Sequence, residues 1–262
     1  MAVQSVLENP QTWALTGTRV TMWLLVVTRI SGLLAALPGL GNERLPLQVR
    51  AAFAILLAVV MSSALPPMKA QPTGLFDLVA ALATELAVGL LMGILVAFVL
   101  SAVGFGANLV DIQTGFSFVQ FLNPANPQPA SVAGTLLGQV ALVLVFTTGL
   151  HHQMLLALAD SYRLVPLGGS VPLRVQDLVV LTGGLLGKGL QLAFPVLLAL
   201  FFVDVLEAFS ARFMPQLQLL QLSFPLKIAV GMAVLGFVIM QFPEWIRPIF
   251  AALPAWALRL LG

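Results

Sequence analysis

The chain has 262 residues, 60% hydrophobic and only 8% charged, with a net charge of +2. Soluble domains carry about 25% charged residues, so this composition excludes an ordinary soluble fold. It points to a membrane protein, or to one buried in an assembly on nearly every face. So few charges leave no basic surface for nucleic acid, and the absence of cysteine removes disulfide, iron–sulfur and thiol chemistry.

The first residues do not read as a cleavable signal, since Glu8, Pro10 and Arg19 precede the first apolar run. Six apolar stretches follow, at roughly 20–40, 51–65, 78–103, 132–158, 178–203 and 219–242. Length and Leu/Ala/Val/Met content make each a helix. The second falls short of the ~20 residues that cross a bilayer core. Pro38, Gly39, Gly41 and Pro46 separate the first two stretches, and "LPPMKAQPTG" (65–74) separates the next. "FLNPANPQPAS" (121–131) and "RLVPLGGSVPLRVQD" (163–177) are loops. Pro195 and Pro225 lie inside the last two stretches and should bend or split them. The tail, 243–262, reads as short and amphipathic, with Arg247 and Arg259 among apolar residues. Gly89 and Gly93 form a G-x-x-x-G pattern, and Gly183, Gly187 and Gly231 also fall in helices, where small residues allow close approach.

Basic residues are spread over both alternating sides of these stretches, so the positive-inside bias of a simple up-and-down bundle is missing. No internal repeat of the kind that builds inverted-repeat transporters is visible.

Arg29, Glu85, Lys188, Asp204, Glu207 and Lys227 lie within or at the edge of apolar runs. Each would cost roughly 2.5–3.5 kcal/mol facing lipid at the midplane. Three are cationic and three anionic, so pairing between helices or subunits is one expectation and an ion path is the other. Asp204 and Glu207, at i and i+3, repel each other unless a cation such as Arg212 or Lys227 sits between them. His151 and His152 are adjacent, so they point about 100° apart on a helix and do not chelate one ion from one face. No H-E-x-x-H, G-x-S-x-G or Walker pattern occurs. No metal, cofactor or catalytic activity is expected.

Four segments carry a resemblance. "LPGLGNERLPLQVRAAFAILLAVVMSSALPP", with Pro38, Pro46 and Arg50, comes first. "GANLVDIQTGFSFVQFLNPAN" and "GLHHQMLLALADSYRLVPLG" follow, and "VDVLEAFSARFMPQLQLLQLSFPLKIAVG" closes the series. In this order they resemble the FliR/SctT family of type III secretion export-gate proteins over nearly the whole chain. Gln218, Ser223, Ala208, Glu207 and Gly149-Leu150 depart from the family pattern.

The resemblance implies a non-enzymatic, all-α membrane-associated chain of helical hairpins with broken helices, stacked in a spiral within a hetero-oligomeric export gate. It implies a FliP-like part over about 1–177 and a FliQ-like part over about 178–262. The partners implied are FliP-like and FliQ-like gate subunits, FlhB-like and FlhA-like export components, and exported flagellar proteins. The implied location is the bacterial inner membrane at the flagellar basal body, with part of the assembly raised toward the periplasm. An injectisome subunit is the alternative within the family. A secondary transporter using Asp204, Glu207 and Lys188 is the alternative outside it.

Two groups of residues are expected to matter. Arg29, Glu85, Lys188, Asp204, Glu207, Arg212 and Lys227 would hold helices or subunits together. Gly115, Phe116, Phe118 and Phe121, in "QTGFSFVQFLNPANP" (113–127), would form a pore plug. The glycine permits a turn, and packed aromatic rings exclude ions by dewetting a constriction.

Overall fold

The computed structural model describes residues 10–37, 46–65, 72–116, 131–170, 174–213 and 219–262. Every regular element among them is an α-helix: α1 (Pro10–Ala36), α2 (Leu47–Ala64), α3 (Leu75–Thr114), α4 (Val132–Thr147), α5 (Leu150–Leu164), α6 (Val175–Phe213) and α7 (Leu219–Leu261).

Local chemistry sets the ends. Proline stands at the first position of α1, where its missing N–H costs nothing. Leu65 leaves α2 in an extended conformation because Pro66 follows it. Asp77, in the first turn of α3, accepts from the Thr73 hydroxyl at 2.6 Å and from its N–H at 3.3 Å. A carboxylate there also suits the helix dipole. Gly115 ends α3 at φ +86°, and Gly149 parts α4 from α5 at φ +71°. Both are left-handed conformations that favour glycine.

Four of the helices are long and apolar enough to cross a membrane, over Thr18–Ala36, Leu75–Thr114, Val175–Ser210 and Ser223–Leu261. The pair α4–α5, bent by 62° at its break, makes a fifth if counted as one span. The apolar stretch 132–158 is therefore two helices rather than one. Helices α3, α6 and α7 have 40, 39 and 43 residues. At 1.5 Å per residue each reaches about 60 Å, roughly twice a bilayer's hydrocarbon core.

Three of the sequence-based boundaries change. Helix α3 continues past 103 because Ala107, Val110, Asp111 and Thr114 are buried at helical spacing. Neither Pro195 nor Pro225 splits its helix. The tail is no separate piece, because α7 runs unbroken to Leu261. Ile246, Phe250, Leu253, Ala257 and Leu261 are buried along it at spacings of three and four, which holds the helical register.

Two compact units form, each from separated parts of the chain. The first takes the described parts of 1–97, 151–177 and 253–262. In it, α1 and α3 touch backbone to backbone. A Cβ added at Gly89 would lie 2.0 Å from the Arg29 carbonyl oxygen, and one at Gly32 2.7 Å from that of Leu86. Leu25, Ile30, Leu33, Met92 and Leu158 are buried in the same unit. The second unit takes the described parts of 98–150 and 178–252. There α3 meets α6 just as closely, since a Cβ at Gly189 would lie 2.2 Å from the Ala102 oxygen.

Candidate functional site

In the first unit the charges form a closed cluster. The Arg29 Nε donates to Glu85 Oε2 at 2.5 Å, and the two side chains are 0% and 1% exposed. The other guanidinium nitrogens donate to Ser161 Oγ and to the Val165 carbonyl, both at 3.0 Å. The guanidinium carbon sits 4.1 Å from the centre of the Tyr162 ring, within cation–π range. Glu85 Oε1 accepts the Gly168 N–H at 3.0 Å, and Gly168 can aim it there because its φ is +74°. Helix α5 supplies this wall through its pattern. Met154, Ala157, Leu158, Ser161, Tyr162 and Val165 are buried at helical spacing, while Gln153, Asp160 and Arg163 face out. With each guanidinium nitrogen and both carboxylate oxygens engaged, the arrangement ties α1, α3 and α5 together.

In the second unit the cluster is half-open. Lys227 Nζ of α7 lies 2.5 Å from Asp204 Oδ1 of α6, with side chains 22% and 35% exposed. Gln113 donates to the other Asp204 oxygen at 2.8 Å. Glu207 does not share the lysine. It accepts from Ser223 Oγ at 2.7 Å, and its second oxygen is buried without a partner among the described residues. Lys188 is exposed on α6, away from these groups. The Arg212 side chain lies outside the described residues.

A third cluster was not expected from the sequence. Asp111, buried in the last turn of α3, accepts the Ser131 hydroxyl on one oxygen and the Ala133 N–H at 3.1 Å on the other. Ser131 in turn accepts the Gly134 N–H at 2.8 Å and so caps α4. One carboxylate thus fastens the end of α3 to the start of α4. Between them run Gly115 and Phe116, both partly buried. A Cβ at Gly115 would stand 3.0 Å from the Phe224 ring. Phe118 and Phe121 lie outside the described residues. Among the described residues no three metal-binding side chains gather, and His151 and His152 are both exposed.

Known proteins share this sequence pattern. Residues 20–253 match the family model described as "Bacterial export proteins, family 1". The chain is 27% identical over 217 residues to the flagellar biosynthetic protein FliR of Caulobacter vibrioides, covering 81% of this chain and 86% of that protein. It is 27% identical over 219 residues to the Bacillus subtilis protein of the same name, covering 81% and 84%. It is 29% identical over 170 residues to the Yop proteins translocation protein T of Yersinia pestis, covering 63% and 65%.

Proposed function

Because the chain belongs to the bacterial export proteins, family 1, we propose that it is a subunit of the flagellar type III secretion export gate. The observation that carries this is its likeness to proteins named FliR over four-fifths of its length. Its part is to build a channel with FliP-like and FliQ-like subunits. FlhA-like and FlhB-like components stand beside that channel, and flagellar proteins pass through it without chemistry on this chain.

The surface supports such an assembly. Only 28% of the apolar window of α6 and 17% of that of α7 are buried within the chain. Helices about 60 Å long overrun a single bilayer core. That suits a subunit held at the inner membrane with part of its assembly raised toward the periplasm. In this reading residues 1–177 form the FliP-like part and 178–262 the FliQ-like part. The segment 113–127, with Gly115, Phe116, Phe118 and Phe121, plugs the pore. The Asp111 carboxylate, which joins the helices on either side, fits a plug that needs a fixed base.

The match to the Yersinia translocation protein favours one further reading, an injectisome gate. Its narrower coverage ranks it second.

The test is co-expression of the tagged chain with FliP-like and FliQ-like proteins of the same cell, and complementation of a strain lacking the gene. A stable complex and restored swimming are expected. A chain that purifies alone and leaves motility untouched overturns the proposal. Restored effector secretion without motility assigns it to the injectisome.

A further inference from the structure

We infer that the outward face of α6 beside Lys188 is a docking surface for an apolar helix of a partner subunit carrying an aspartate or glutamate opposite that lysine. The inference rests on the export-gate reading and names the chemistry of one contact within it.

Helix α6 uses its glycines in two ways. Gly189 faces inward, and a Cβ there would collide with the Ala102 backbone of α3. Gly183, Gly184 and Gly187 do the opposite, since a Cβ at any of them meets nothing within 4 Å. Around them Val180, Phe194 and Leu198 are exposed. At 100° per residue, Val180, Gly184, Gly187, Phe194 and Leu198 fall on one face. This is a shallow notch bordered by bulky apolar residues, a shape that a second helix fills by close approach.

Charge selects the occupant. Lys188 is exposed at the edge of this face and has no ion-pair partner among the described residues. Flanking charges of this kind set partner choice along a helix seam. An unpaired ammonium is costly against hydrocarbon, so lipid is a poor cover for the face. A helix bringing a carboxylate covers the apolar notch and neutralises the lysine together.

Open space around the glycines makes the test clean. A Cβ at Gly184 meets nothing within 4 Å, and leucine improves helix propensity, so the chain itself should fold. In the co-expressed complex it should cut recovery of assembled gate at least tenfold. Lys188→Glu should do likewise and Lys188→Arg should not. The chain has no cysteine, so Val180→Cys carries the sole thiol for a maleimide photocrosslinker. The adduct should map to a partner-subunit helix with an acid within one turn of the residue facing Lys188. Changing that acid to lysine should restore assembly of Lys188→Glu. Wild-type recovery of Gly184→Leu, or an adduct only on lipid, on a second copy or on this chain's own residues, overturns the inference. In those cases the unmodified chain still co-purifies with its partners. If it does not, the export-gate reading has failed instead.

Discussion

Arg29 and Glu85, 56 positions apart, meet at 2.5 Å with neither side chain open to solvent. Removing one partner of such a pair strands the other charge, at a cost of about 3–5 kcal/mol. Arg29→Ala or Glu85→Ala should therefore sharply lower the thermal unfolding temperature of this subunit in the purified complex. The double variant Arg29→Met/Glu85→Leu strands no charge and should recover much of the loss. Arg29→Lys should fall between, because an ammonium cannot reproduce the fork that reaches Ser161 and Val165. Equal losses in the single and double variants would rule out a stranded charge as the cause.

The Lys227–Asp204 pair should matter less. Its side chains are 22% and 35% exposed, so fewer groups of this chain enclose it than enclose Arg29 and Glu85. Lys227→Met should lower the yield of assembled complex, yet by less than Arg29→Met does. Normal assembly with export abolished would instead point to an ion path through Asp204.

The close approach of α1 and α3 gives a third expectation. Gly89→Ala puts a Cβ 2.0 Å from the Arg29 carbonyl oxygen, so the helices must part. Overpacking of this kind costs about 1–3 kcal/mol. Gly104→Ala, where a Cβ meets nothing within 4 Å, should be neutral or stabilising by up to about 1 kcal/mol. Thermal unfolding of the two variants side by side checks the contrast.

The all-α class was legible in the apolar runs, and the family in four motifs read in order. Pairings were not. Arg29 and Glu85 stood out as charges in apolar sequence, but six such charges allow many matches, and contacts 56 positions apart leave no local trace. Asp111 was missed because it lies beyond the apolar run's end near 103, although Ala107, Val110, Asp111 and Thr114 continue the helical period of that run. The break at Gly149 was hidden because apolar residues resume beyond it, with only Thr147-Thr148-Gly149 and the polar run His151-His152-Gln153 to signal it. Glu207 and Ser223, each a departure from the family pattern, prove to be hydrogen-bonded partners. That link becomes visible only once α6 and α7 are folded against each other.

The Asp111 clamp should be separable from overall stability. Ser131→Ala removes the α4 cap and should cost about 1 kcal/mol. Asp111→Ala removes the acceptor for both Ser131 and the Ala133 N–H, leaving buried donors unpaired at about 1–3 kcal/mol. Hydrogen exchange at Ala133 and Gly134 should accelerate in both variants, while amides around Arg29 keep their protection. Unchanged exchange at the start of α4 would mean that Asp111 does not fasten the two helices.

Gly115 makes the plug proposal testable from its described end. At φ +86° it turns the chain out of α3 in a conformation that costs other residues about 1–2 kcal/mol. A side chain there also presses on the Phe224 ring. Gly115→Val should therefore redirect the chain as it leaves α3 without touching the Arg29 cluster. A gate that passes unfolded chains must stay closed to ions at rest, and packed rings achieve that by dewetting. If 113–127 supplies those rings, Gly115→Val should leave the complex assembled but conducting in planar bilayers. Deletion of residues 116–121 should conduct more, and its induction should slow growth. A deletion complex that assembles and stays tight to ions removes the plug from this segment. One that cannot assemble makes the same residues part of the packing that holds the gate together.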